Sequence, residues 1–115
     1  MLLLGMSWKI EYPYSDVEKF VLDLPAGLAA RYIHLTDLMI EFGSDLGMPH
    51  TKSMSNGLFE LRVKSQEGIA RVFYCTKVGK RIVMLHGFIK KSQKTPPNEL
   101  KKAVLRLSEV KRHES

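Results

Sequence analysis

Four side chains in the C-terminal half could together bind and cleave a phosphodiester: Arg62, Arg71, His86 and Lys90. The planar guanidinium of arginine donates paired hydrogen bonds that match the geometry of phosphate. Clustered basic groups can also stabilise the negative charge that develops when the 2′-hydroxyl of RNA attacks the adjacent phosphate. This reaction needs a proton acceptor and a proton donor. His86 suits either role, and Lys90 is an alternative because nearby arginines would lower its pKa.

Three strand-like segments would position these four side chains. Apolar and polar residues alternate over 58–64, whereas 69–76 and 80–89 are rich in β-branched and aromatic residues. Turn residues separate the segments at 66–68 and around Gly79. The three strands are therefore predicted to form two consecutive antiparallel hairpins.

The apolar pattern predicts the register of the first hairpin. Pairing Val63 with Ala70 keeps one sheet face apolar, whereas a slip of one residue would push an arginine into the core. This register sets Arg62 directly opposite Arg71 on the other face.

In the second hairpin, pairing Lys77 with Lys80 extends the apolar face and sets Arg71 opposite His86. Lys90 then projects from the same side at the end of the strand. Two arginines, a histidine and a lysine are thus predicted to share one side of the sheet. Like charges directly opposite each other destabilise a sheet, so this row requires counter-ions or a bound anion.

Two interpretations of the basic row follow. In the first, Glu60 and Glu67 neutralise the arginines in ordinary surface ion pairs. In the second, the row is an anion site on a rigid sheet. The second interpretation places Arg71 on an open sheet face, so Arg71→Ala is expected to remove activity without unfolding the protein.

The rest of the chain is predicted to add one strand and three helices. Apolar residues recur at three- and four-residue spacing in two segments joined at Pro25, which is typical of a helical hairpin, and again after Pro96. The expected fold is α+β, with a mainly antiparallel small sheet, an N-terminal helical hairpin on one face and a C-terminal helix. The predicted bounds are a strand over 7–12, helices over 15–24 and 25–46, a loop over 47–57 and a helix from residue 96.

Length and composition bound the class of protein. A chain of 115 residues with 44% hydrophobic and 26% charged residues is typical of a single globular domain, here 1–115. The one cysteine, Cys75, excludes an internal disulfide framework and a metal site built on several thiolates. We expect no metal and no cofactor. No apolar run reaches the roughly 20 residues of a membrane span, so we expect a cytoplasmic protein, with residues 1–5 a candidate start-site extension.

The net charge of +6 is distributed unevenly along the chain. Residues 1–49 carry three basic and seven acidic side chains, a net charge of −4, whereas residues 50–115 carry fifteen basic and five acidic ones, a net charge of +10. Such an asymmetry indicates a basic working face, and the partner that it favours is nucleic acid or another polyanion; the alternative is a solvated basic surface without a partner.

Three blocks of the sequence resemble the RelE/ParE toxin superfamily, and within it the HigB-like, phage-related branch. The blocks are NGLFELR at 56–62, RVFY at 71–74 and LHGFIKKSQKTP at 85–96. They occur in the order and at the short spacings typical of that branch. The resemblance spans roughly residues 50–105, and the preceding strand and helical hairpin fit the RelE-like layout.

The resemblance implies a toxin of a type II toxin–antitoxin pair. Such HigB-like toxins are ribosome-associated, metal-independent endoribonucleases that cut mRNA. The implied partners are therefore mRNA, the ribosome and a cognate antitoxin, commonly of the helix-turn-helix type. The basic active-site positions of the family fall on Arg62, Arg71 and Lys90, and RNA contacts fall on Lys91, Lys94 and Lys52.

Two other functions are compatible with the same fold. The superfamily includes ParE-like toxins that inhibit DNA gyrase without nuclease activity, and a plain RNA-binding module would also present a basic face. Cleaved transcripts would favour the nuclease, DNA damage with intact transcripts would favour the gyrase inhibitor, and salt-sensitive RNA binding without cleavage would favour the binding module.

Overall fold

A computed structural model describes residues 7–91 and 93–113 of the chain. The candidate start-site extension at residues 1–5 lies outside the described residues. The fold is α+β, as predicted, with three helices and five strands. In chain order the elements are β1 (Lys9–Glu11), α1 (Ser15–Leu22), α2 (Ala26–Phe42), β2 (Thr51–Ser55), β3 (Leu58–Ser65), β4 (Gly68–Lys77), β5 (Arg81–Lys90) and α3 (Pro97–Arg112).

The five strands form one sheet in the order β1-β5-β4-β3-β2. β1 runs parallel to β5, and the other neighbours are antiparallel. The alternation of side chains along the strands gives the sheet two apolar faces. One face packs against α1 and α2, and the other packs against α3. Within the described ranges, no helix combines the length and apolar character that crossing a bilayer requires.

The end of α2 and the presence of β2 differ from the sequence prediction. Residues 51–55 were predicted to be loop but form the edge strand β2, in which Thr51 pairs with Leu61 of β3. The second helix ends at Phe42 rather than near residue 46. Gly43 follows it with φ of +114°, a conformation that a helix cannot continue through and that glycine tolerates.

The register predicted for the first hairpin is confirmed. Val63 pairs with Ala70 on the face that packs against α2. Arg62 pairs with Arg71 on the other face. Burying the apolar side chains of β3 and β4 against α2 is enough to fix this alignment, since a one-residue slip would exchange the two faces.

The register predicted for the second hairpin is wrong. Lys77 pairs with Arg81, because the turn holds three residues, two of them at positive φ, rather than two. Leu85 is then an extra residue in a β-bulge, which shifts the pairing once more. As a result Arg71 lies opposite Phe88, and His86 lies two pairs further along the ladder, opposite Phe73.

Arg106 of α3 stabilises the bulge and joins α3 to the start of α1. Its Nη1 donates to the backbone carbonyl oxygen of Leu85 at 2.8 Å, and the guanidinium bonds both carboxylate oxygens of Asp16 at 3.0 Å. The same group lies 4.2 Å from the centre of the Tyr14 ring. Partial burial alone would raise the pKa of Asp16, but the hydrogen bonds and charge of Arg106 lower it below its ordinary value.

Asp16→Asn is expected to lower the free energy of unfolding by about 1 kcal/mol at neutral pH, because half of the Asp16 side chain is exposed and solvent weakens the pair. The carboxylate has a lowered pKa in the folded protein, so its contribution is present above the ordinary aspartate pKa and is lost as the pH falls through the lowered value. Denaturant titrations of both proteins at neutral and at acidic pH should therefore show a difference that disappears in acid. A difference that persists unchanged in acid would contradict this.

Candidate anion-binding cleft

A basic cleft opens on the α3 face of the sheet, beyond the end that α3 covers. Its volume is about 1010 Å³. Residues from α2, from the segment before β2 and from β3, β4 and β5 line it. The charged and polar side chains at its walls are Arg31, His50, Arg62, Lys64, Arg71, Lys90, Lys91 and Gln93.

The sheet brings Arg62 and Arg71 together as neighbours on β3 and β4. Arg62 is half-buried, whereas Arg71 is only 5% exposed. The expectation that Arg71 stands on an open sheet face is therefore wrong: its stem and Nε are covered while its side chain lines the cleft. Burial lowers the pKa of the Arg71 guanidinium from its ordinary value, with the Arg62 charge acting in the same direction and Glu60 opposing both.

The carboxylate of Glu60 lies between the two arginines and is itself buried, with 3% exposure. Its Oε1 is 3.6 Å from Arg71 Nε and 3.8 Å from Arg62 Nε. These distances exceed hydrogen-bond range, and Arg71 Nε is buried without a hydrogen-bond partner. The predicted ion pairing by Glu60 is thus present, but it is a buried contact rather than a surface one.

Glu67 does not neutralise the arginines. Its Oε1 accepts the backbone N–H groups of Gly27 at 2.6 Å and of Leu28 at 3.0 Å. The N–H groups in the first turn of a helix have no partner within the helix, so Glu67 supplies the acceptor for these two. The helix dipole also favours a carboxylate at this end of α2. Glu67 therefore ties the β3–β4 turn to α2 and leaves the cleft arginines with Glu60 alone as a contacting carboxylate among the described residues.

The opposite wall of the cleft contains two residues that the sequence analysis did not select. Arg31 projects from α2, and its Nη2 lies 3.4 Å from Nδ1 of His50. Because a guanidinium can only donate, Nδ1 of His50 is the accepting atom in this long contact. The His50 backbone carbonyl accepts the N–H of Arg62 at 2.8 Å, which fixes this wall to β3.

Lys90 ends β5 at the cleft, and its pKa is lowered from the ordinary value for lysine. Partial desolvation is the main cause, and the charge of Arg71 adds to it; Glu60 opposes the shift, and Arg62 and Lys52 contribute smaller repulsions. Lys91 lines the cleft beside Lys90. Lys52 is exposed on β2, opposite Glu60 and on the same sheet face, whereas Lys94 is exposed in the segment before α3 and does not line the cleft.

A family model of phage-derived, Gp49-like proteins (DUF891) matches residues 19–108. The chain belongs to the Gp49-like family. This family is a RelE/HigB-like toxin family of toxin–antitoxin systems, so the predicted relationship is confirmed at that level. The match includes every residue that lines the cleft. A search of curated proteins finds no match.

His86 of this Gp49-like protein lies outside the cleft, under α3. Its Nε2 is 2.5 Å from Glu99 Oε1 in the first turn of α3, and its Nδ1 is buried without a hydrogen-bond partner. The imidazole also stacks against Phe88, with ring centres 6.3 Å apart. The three-residue turn and the bulge at Leu85 together explain this position, because they move His86 away from Arg71 and towards the part of the sheet that α3 covers.

Within residues 7–91 and 93–113, no group of three or more histidine, cysteine, aspartate or glutamate side chains is arranged to hold a metal ion. The sequence prediction that the Gp49-like protein uses neither a metal nor a cofactor stays a prediction.

Proposed function

We propose that this Gp49-like protein is the toxin of a type II toxin–antitoxin system, in the HigB-like branch, and that it is a ribosome-associated endoribonuclease that cleaves mRNA. The observation that carries the proposal is the cleft itself, which places Arg62, Arg71, Lys90 and Lys91 around one space large enough for a nucleotide segment. The excess of positive charge suits a polyanion. The cognate partner would be an antitoxin, of the helix-turn-helix type in this branch.

In the proposed reaction, the 2′-oxygen of the RNA attacks the adjacent phosphorus, and the bond from phosphorus to the 5′-oxygen breaks. Arg62 and Arg71 stabilise the additional negative charge on the phosphoryl oxygens, which is greatest in the transition state. The 2′-hydroxyl gives up its proton to a base, and the departing 5′-oxygen takes one from an acid. We assign the acid to Lys90, since its ammonium lies at the cleft and its lowered pKa makes it give up a proton more readily than an ordinary lysine.

The remaining cleft residues would bind the RNA. His50, on the wall opposite Arg62 and Arg71, would contact a phosphate oxygen of the RNA. The positive surface along which the RNA chain would lie is extended by Lys91, Lys52 and Lys94. Each phosphate of the RNA that a lysine contacts adds to the salt dependence of binding. His86, for which the sequence favours a catalytic role, is proposed instead to hold the first turn of α3 through Glu99.

The proposal is tested by inducing the chain briefly in growing bacteria and mapping the 5′ ends of transcripts, with the Arg71→Lys variant in parallel. New 5′ ends inside translated regions, absent with the variant, would support an mRNA-cleaving toxin. Growth arrest with DNA damage and uncut transcripts would instead indicate a ParE-like inhibitor of gyrase. Salt-sensitive RNA binding without arrest or cleavage would indicate a plain RNA-binding module.

Glu99→Gln is expected to lower stability but to leave RNA cleavage within about threefold of the wild-type rate. The substitution weakens a charge-assisted hydrogen bond, which contributes on the order of 1–2 kcal/mol. Its partner, His86, lies away from the cleft. A denaturant titration measures the loss of stability, and a cleavage assay on the same preparation measures the rate. Loss of cleavage by a hundredfold or more in a folded variant would indicate that His86 takes part in the reaction.

A further inference from the structure

Glu60 is a carboxylate in an unusual position for a site that must attract RNA. It is 3% exposed, its Oε1 faces the Nε atoms of Arg71 and Arg62 at 3.6 and 3.8 Å, and its Oε2 accepts a long hydrogen bond of 3.4 Å from Thr95. A buried negative charge beside the arginines lowers the positive potential of the cleft. Removing a charge from water also carries a large penalty that its partners must offset.

The distances show what Glu60 leaves unoccupied. Both contacts with arginine are too long for hydrogen bonds, so Glu60 attracts the two guanidinium groups without taking up their donors. Arg71 Nε is accordingly a buried donor with no partner. A buried donor without a partner is costly, and here the nearby charge of Glu60 offsets that cost through attraction alone. The arrangement therefore holds two arginines side by side, against their mutual repulsion, while both side chains still line the cleft.

We propose that Glu60 is a positioning residue, which fixes Arg62 and Arg71 in the geometry that the transition state requires. It also lowers the affinity of the cleft for RNA. Its charge reduces attraction to substrate and product, whereas its location keeps the guanidinium groups from separating. Misplacement of such groups by about 1 Å can cost about a hundredfold in rate. The part of the inference that concerns turnover rests on the proposed nuclease function, and the part that concerns binding does not.

The test compares Glu60→Gln with the wild type in two assays. Affinity is measured for a short RNA with 2′-O-methyl groups throughout, which has no free 2′-hydroxyl to attack the phosphate, and the rate of the cleavage step is measured in a single turnover. Removing one negative charge at the cleft should tighten binding about fivefold. Loss of positioning should slow cleavage about tenfold or more. Opposite changes in binding and rate would support the proposal, because a merely structural defect would weaken both.

Glu67→Gln is the matched control. It changes the net charge by the same amount, but Glu67 bonds to the start of α2 and not to the arginines. Its affinity for the methylated RNA and its cleavage rate should stay within about twofold of the wild type. Equal tightening in both variants would overturn the proposal, since the effect would then reflect net charge alone.

Glu60→Asp is the second variant, and it decides the matter if Glu60→Gln does not fold. Aspartate keeps the charge but withdraws it by one methylene group, so binding should remain near the wild-type value while cleavage slows about threefold or more. An unchanged rate in folded Glu60→Asp would contradict a positioning role. If the wild type itself cleaves no RNA, the proposed function fails, and the binding comparison between Glu60→Gln and Glu67→Gln still tests the electrostatic part of the inference.

Discussion

Arg71→Lys is expected to slow RNA cleavage by about a hundredfold or more while the protein remains folded. Lysine keeps the positive charge beside Glu60 but replaces a rigid fork of donors with a single ammonium. Removing one well-placed donor to a developing negative charge costs about 10²–10³ in rate. Single-turnover cleavage measures the effect, and thermal unfolding of the same preparation shows that the fold is retained.

The choice of lysine at position 71 follows from burial. Arg71→Ala would leave the Glu60 carboxylate buried beside one arginine only, and breaking a buried ion pair in that way costs about 3–5 kcal/mol. Loss of activity in the alanine variant would then be difficult to separate from unfolding. Arg81→Lys is a matched control, because Arg81 pairs with Glu11 at the opposite end of β5. Wild-type cleavage by folded Arg71→Lys would contradict a role for the guanidinium.

Lys90→Met is expected to reduce cleavage by about a hundredfold, because it removes both the proposed proton donor and a positive charge at the cleft. Lys90→Arg separates the two contributions. Arginine keeps the charge but does not release a proton near neutral pH, so it should restore RNA binding without restoring the rate. Lys101→Met, on the exposed surface of α3, serves as the control for charge removal away from the cleft.

The dependence of the cleavage rate on pH shows whether Lys90 acts as an acid or as a base. An acid acts in its protonated form, so wild-type cleavage should decline as the pH rises through the Lys90 pKa, which lies below the ordinary value for lysine. The Lys90→Arg variant should lack that decline and stay slow throughout. If cleavage by the wild type rises through the same range, Lys90 acts as a base, and if Lys90→Arg is fully active, the role of residue 90 is electrostatic only.

The sequence predicted the central hairpin because burial dictates it. Alternation along 58–64 and the apolar residues of 69–76 allow one register only, and that register places Arg62 beside Arg71. The next hairpin contains no such constraint. Either of two turn lengths keeps apolar residues paired, and the bulge at Leu85 is bonded by Arg106, which is remote in sequence. The predicted pairing of Arg71 with His86 failed for this reason.

The second wall of the cleft depends on tertiary contacts that a local pattern does not show. β2 is a short edge strand with two inward side chains only, so it lacks the alternation by which strands are predicted. Arg31 lies on a helix in the acidic half of the chain, and it reaches the cleft because α2 packs across β3. The two candidate counter-ions, Glu60 and Glu67, are chemically alike in the sequence and differ only in what the fold places next to them.

The most direct test of the proposed chemistry is a single-atom change in the substrate. A ribosome complex is programmed with an mRNA that carries one 2′-deoxynucleotide on the 5′ side of a mapped cleavage site, and cleavage is compared with that of the all-ribose message. Attack by the 2′-hydroxyl predicts that the deoxy message stays intact at that site, and that the all-ribose message yields an upstream fragment ending in a 2′,3′-cyclic phosphate. Cleavage of the deoxy message at the same position and rate would contradict the mechanism.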